Sequence, residues 1–115
     1  MITIYHNPRC SKSRQGLQVL ENSGKEFSIK KYLEDIPSEK EVKEIIEKLE
    51  ISPLELVRKN EAIWKELYKG KSLSDADIIK AMTTHPKLIE RPIVIKDNKA
   101  VIGRPLENIT KLLGN

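Results

Sequence analysis

The chain has 115 residues, 38% of them hydrophobic and 33% charged. That is enough apolar material to fold as one domain and to bury roughly two thirds of the surface of the extended chain. Its 21 basic and 17 acidic residues leave a net charge of +4, which is too little to argue for nucleic acid, and no apolar run approaches the length of a membrane span. The opening Met1-Ile2-Thr3-Ile4-Tyr5 lacks the basic stretch and apolar core of a secretory signal, so the expected location is the cytoplasm.

Ile2 and Ile4 alternate with Thr3 and Tyr5, the period of a half-buried strand, and Asn7-Pro8 ends it. From Ser11 to Asn22 the residues Leu17, Val19 and Leu20 suit a helix, with Gly24 placed to close it. Phe27 and Ile29 then predict a second short strand running toward Tyr32. Strand, helix and strand in this order make a parallel βαβ unit.

The middle is helical in pattern. Ser38 with Glu41, Ser52 with Glu55, and Ser74 with Asp77 have the spacing of a capping box, so three helix starts are expected. The first helix carries Val42, Ile45, Ile46 and Leu49 on one stripe, the second has Pro53 at its first position and carries Arg58, and the third stops by His85-Pro86. Ile93-Val94-Ile95 reads as a covered strand, Asp97-Asn98 as a two-residue turn and Ala100-Val101-Ile102 as its antiparallel partner. Pro105 is then expected to start a last helix with Leu106, Ile109, Leu112 and Leu113 facing the core. The predicted order is βαβ, a helical insert of about fifty residues at about 34–90, then ββα. This is a thioredoxin-like α/β arrangement with a mixed four-stranded sheet.

A lone cysteine, Cys10, forms no internal disulfide. Placed between the first strand and the helix, it meets the unpaired N–H groups and positive end of that helix, which favour an anion. An ordinary thiol is only about 3% ionised at pH 7, and lowering its pKa by about two units makes it mostly thiolate. His6, Arg9, Lys12 and Arg14 surround it with no carboxylate between Met1 and Val19. Arg14 lies only four positions after Cys10, too close for the oxyanion loop of a tyrosine phosphatase. Cys10-Ser11-Lys12-Ser13 has a hydroxyl where a dithiol oxidoreductase carries its second thiol. Redox chemistry at Cys10 therefore needs an external thiol, for which glutathione is the abundant cytosolic candidate. One cysteine and two distant histidines, His6 and His85, supply no zinc or haem ligand set.

The run Tyr5-His6-Asn7-Pro8-Arg9-Cys10-Ser11-Lys12-Ser13-Arg14, followed by Leu56-Val57-Arg58-Lys59-Asn60, His85-Pro86, Arg91-Pro92-Ile93-Val94 and Gly103-Arg104-Pro105, resembles the glutaredoxin-linked arsenate reductase family over nearly the whole chain. The resemblance implies a thioredoxin-like fold with a helical insert. It also implies that His6 helps to ionise Cys10, that Ser13 contacts the thiolate, that Arg58, Arg91 and Arg104 hold the arsenical oxyanion, and that Pro92 is a structural cis-proline. The implied reaction is attack of the Cys10 thiolate on arsenic, followed by resolution with glutathione and glutaredoxin to give arsenite, with no bound cofactor or metal. Guanidinium groups suit it, because they are permanently charged planar forks that hold an oxyanion beside an anionic sulfur. The loop carries Arg9 and Lys12 where well-known arsenate-detoxifying members have small neutral residues, so the site is more open, more cationic or tuned to another partner. Two alternatives share the fold, an Spx-like regulator that binds RNA polymerase and a glutathione-linked thiol reductase. The missing second cysteine argues against a disulfide switch.

Overall fold

The computed structural model describes residues 1–114. In chain order the elements are β1 (Ile2–Tyr5), α1 (Ser11–Ser23), β2 (Ser28–Lys30), α2 (Glu39–Leu49), α3 (Ala62–Leu67), α4 (Asp75–Thr84), β3 (Ile93–Lys96), β4 (Lys99–Ile102) and α5 (Glu107–Leu113), with short 3₁₀ turns at Pro53–Leu56 and Pro86–Leu88. The chain divides into two compact units, one of Met1–Asp35 together with the chain from Arg91 onward, the other Ile36–Glu90. No helix among the described residues is long and apolar enough to cross a membrane.

The first unit is built on one four-stranded sheet of order β2-β1-β3-β4. β1 runs parallel to β2 and antiparallel to β3, which pairs antiparallel with β4. This mixed sheet with its helices is the thioredoxin-like arrangement expected. The Asp97-Asn98 turn follows from the pairing of Lys96 with Lys99, and Asp97 takes the positive φ, +56°, that such a turn requires. Ile2, Ile4, Leu20, Val94, Ile109, Leu112 and Leu113 form the core between sheet and helices. Burying a side chain of this kind stabilises by about 1.5–3 kcal/mol. α1 ends as its sequence predicts, at Gly24 in the left-handed conformation, φ +73°.

In the second unit, Ser38 and Ser74 cap α2 and α4 with complete capping boxes, and α2 packs on α4 through buried Val42, Ile45, Ile46, Ile78, Ala81 and Met82. The Ser52 box also forms, but it opens only the 3₁₀ turn Pro53–Leu56. The expected second helix is absent because the next residues pair with a distant segment. Val57 bridges Ile89, the Arg58 N–H donates to the Leu88 carbonyl at 2.7 Å, and the Glu90 N–H donates to the Leu56 carbonyl at 2.8 Å. Arg58 therefore follows a turn in extended pairing rather than riding a helix, and the helical residues shift to α3, which the pattern did not signal.

Two boundaries also differ from expectation. β2 stops at Lys30, with Ile29 48% exposed, since an edge strand this short has little to bury it. α5 begins at Glu107 rather than at Pro105, whose preceding peptide is cis.

Candidate active site

Segments distant in sequence leave the sheet at one end because of its register. Tyr5 pairs with Ile93 and Ile93 with Ile102, so the residues after β1, before β3 and after β4 emerge together. They are the His6–Cys10 loop, Arg91-Pro92 and Gly103-Arg104. The Arg91–Pro92 peptide is cis, and the Gly103 N–H donates to the Pro92 carbonyl at 2.8 Å. A Cβ placed on Gly103 would lie 2.7 Å from Ile109 Cδ1 and 2.8 Å from Pro92 Cγ, and one on Gly16 would also lie 2.8 Å from Pro92 Cγ. Both approaches are closer than carbon atoms tolerate, so glycine is what allows α1 and β4 to close on the proline.

The loop is tied down by its own polar groups. Ser13, on the first turn of α1 and fully buried, has its Oγ 2.7 Å from His6 Nδ1 and accepts the Asn7 N–H at 2.9 Å. The Asn7 carbonyl accepts the Cys10 N–H at 3.0 Å, and Asn7 Oδ1 accepts the Arg9 N–H at 3.0 Å. Arg14 Nη1 donates to the Pro8 carbonyl at 2.9 Å. The result places Cys10, half-buried, as the N-cap residue of α1 with φ −94° and ψ 123°.

Burial pushes the Cys10 thiol up, but the Ser13 N–H, the Arg91 side chain through hydrogen bond and charge, and the Lys12 N–H together hold it below the ordinary thiol value. The first turn of α1 contains no acidic residue to oppose them. Arg104 Nη2 lies 3.5 Å from Cys10 Sγ, and its Nε donates to the Arg91 carbonyl at 2.7 Å, so the residue before the cis peptide aims the second guanidinium. His6 is held below its usual value by burial first and then by the charges of Lys31 and Arg14, while a hydrogen bond to Ser13 works the other way. The neutral imidazole is favoured.

Cys10, Arg91 and Arg104 thus meet around one sulfur. Ser13 acts on that sulfur through its backbone N–H, its hydroxyl being engaged by Asn7 and His6, and His6 is joined to the arrangement through that hydroxyl. Arg58 belongs to the helical unit, where its Nη1 lies 3.0 Å from Glu90 Oε1 and its Nε 3.4 Å from Glu61 Oε2. Sequence reasoning passed over Asn7, although an Asn-Pro pair ending a strand marks a side chain that organises a turn. It also passed over Lys31, whose approach to His6 depends on β2 lying beside β1. Among the described residues no three His, Cys, Asp or Glu side chains gather as a metal-binding group. Chemically, the arrangement offers an activated nucleophile beside two permanent cations.

The model of the ArsC family matches residues 5–112. An arsenate reductase of Neisseria meningitidis serogroup A is 42% identical over 114 residues, with 97% of each chain covered. One from Haemophilus influenzae is 43% identical over 114 residues, covering 97% of this chain and 98% of the relative. The solved structure of an arsenate reductase from Vibrio cholerae superposes with a TM-score of 0.91 at 46% identity, covering 96% of this chain and 95% of its own.

Proposed function

The chain belongs to the ArsC family and is an arsenate reductase by homology, and from that premise we propose that it reduces arsenate with glutathione and glutaredoxin, using Cys10 as the nucleophile. The observation that carries this reading is the Cys10 sulfur at the open start of α1, with the Arg104 guanidinium 3.5 Å away and Arg91 acting on it. Without those cations an anionic sulfur and an anionic substrate would repel one another.

In the proposed sequence the thiolate attacks As(V) and one arsenate oxygen leaves as water, giving a thio-arsenate on Cys10. Glutathione then displaces a second oxygen as water. A glutaredoxin thiol takes the glutathione sulfur, so two thiols become one disulfide while their two electrons reduce arsenic to As(III). Water finally releases arsenite and restores the Cys10 thiol. Arg91 and Arg104 bind the oxyanion and offset its charge, and Ser13 and Lys12 hold the thiolate with backbone N–H groups. His6, kept neutral, supports the loop through Ser13. A role for Arg58 in oxyanion binding rests on the family resemblance, and raised KM in Arg58→Ala without loss of kcat is its expected mark. The cytoplasm, where glutathione is abundant, is the matching compartment.

The test couples NADPH oxidation, through glutathione reductase and glutaredoxin, to added arsenate. Turnover is expected with the wild-type chain and not with Cys10→Ser. Turnover that persists in Cys10→Ser overturns the nucleophile. Turnover supported by thioredoxin but not by glutaredoxin overturns the reductant while leaving the nucleophile standing.

A further inference from the structure

Arg91 is joined directly to a cluster of charges whose geometry the proposed reaction leaves unexplained. Glu90 precedes it and closes the short antiparallel contact in which Val57 bridges Ile89, its N–H donating to the Leu56 carbonyl at 2.8 Å. The Arg58 and Glu90 side chains stand diagonally across that contact, with Arg58 Nη1 3.0 Å from Glu90 Oε1. Arg58 Nε lies 3.4 Å from Glu61 Oε2, on the residue before α3. The side chains of Arg58, Glu61 and Glu90 are 24%, 25% and 24% exposed, so solvent and salt screen them less than a surface pair. Two carboxylates more than offset one guanidinium. Arg58 is therefore placed to hold Glu90 rather than to project its charge.

The residue after Glu90 governs both cations of the site. Arg91 acts on the Cys10 sulfur through its side chain, and its carbonyl accepts Arg104 Nε at 2.7 Å while Arg104 Nη2 lies 3.5 Å from Sγ. A rotation of the backbone at Arg91 would move two guanidiniums at once. Just before it, Glu90 is fixed twice, by its N–H and by its carboxylate. We propose that the Arg58–Glu90 pair is a clamp, in which both are positioning residues that hold the chain at Arg91 so that Arg91 and Arg104 meet the thiolate. The clamp rests on the proposed function, in which those guanidiniums serve the Cys10 nucleophile, and it gives Arg58 a task other than contact with the oxyanion.

The experiment reads Cys10 directly, through the pH dependence of iodoacetamide alkylation. It needs no arsenate, so its outcome is separate from that of the coupled assay. Loss of the Glu90 carboxylate acts in opposite directions by charge and by position. As a bare charge, its removal would favour the thiolate and lower the alkylation midpoint. As part of a clamp, its removal frees Arg91 and raises that midpoint. Glu90→Ala is expected to raise it, Arg58→Ala likewise, and the double variant no further than either single one. Arg58→Lys keeps a cation for Glu90 and should restore most of the wild-type value. Glu90→Gln keeps the size of the side chain and should give the same upward sign if the alanine variants do not fold. In the coupled assay Glu90→Ala should lower kcat/KM for arsenate about ten- to hundredfold, the scale of an ångström-level misplacement. Raised midpoints with no arsenate turnover even in the wild-type chain would support the clamp while overturning the substrate. The clamp is overturned if Glu90→Ala lowers the midpoint or leaves it in place, or if the two single effects add in the double variant. It is also overturned if Arg58→Ala raises KM for arsenate with the midpoint unmoved, the mark of an oxyanion contact alone.

Discussion

Three helix starts in this molecule solve the same electrostatic problem in two ways. At α2 and α4 a serine hydroxyl accepts the third N–H, an acidic side chain answers it, Glu41 in one case and Asp77 in the other, and one further carboxylate occupies the first turn, Glu39 and Asp75 respectively. At α1 the cap residue is Cys10, the first turn holds no acid, and the N–H groups of Lys12 and Ser13 act on sulfur instead. Where a helix only has to stand, its positive end is neutralised from within. Where it has to hold a reactive anion, that end is left for the thiolate.

Replacing Cys10 by serine should separate the two solutions most sharply. Arsenate turnover should fall by about a thousandfold or more, the scale of losing a nucleophile. The oxygen at the cap should at the same time leave stability unchanged or raise it by up to about 1 kcal/mol, as read by urea denaturation. Packing around Pro92 is tested by Gly103→Ala, expected to cost about 1–3 kcal/mol because a Cβ there meets both Ile109 and Pro92. Ser38→Ala and Ser74→Ala should each cost about 1 kcal/mol without altering the rate of Cys10 alkylation. An altered rate in either would show that the helix starts are not independent.

Lys12→Glu makes α1 resemble α2 and α4. It should move the pH midpoint of iodoacetamide alkylation upward, by an effect of about 0.3–1 kcal/mol on the thiolate, from a wild-type midpoint below the ordinary thiol value. The smallest effect concerns His6. Its folded value is lowered by burial and by Lys31 and Arg14, so the unfolded chain takes up this proton first as pH falls. The contribution is complete above the unfolded value of about 6.5 and is lost as pH falls through that value toward the folded one. Denaturation midpoints measured from about pH 8 to about pH 5.5 should decline less steeply in His6→Gln.

Much of this was legible in sequence because it is local. A capping box lies within four residues, so Ser38-Glu41 and Ser74-Asp77 announce their helices. Alternation marks β1, and the cation-rich, acid-free run around Cys10 can be read without knowing the fold. The Ser52 box shows where local signals stop. Its hydrogen bonds form, with the Ser52 N–H donating to Glu55 Oε2 at 2.7 Å, yet the helix does not follow, because backbone pairing with Leu88–Glu90 satisfies Leu56 and Arg58 first.

By itself the sequence determined the βαβ and ββα segments at the two ends, the starts of α2 and α4, the single thiol and the charges near it, since each depends on residues a few positions apart. Only the tertiary structure decided that the Arg91 carbonyl aims Arg104, that Ser13 offers the sulfur its N–H while its hydroxyl binds the loop, and that Lys31 biases His6 from the end of the neighbouring strand β2. These depend on the register that sets Tyr5 against Ile93 and Ile93 against Ile102, and strand register is fixed by burying one face of the whole sheet.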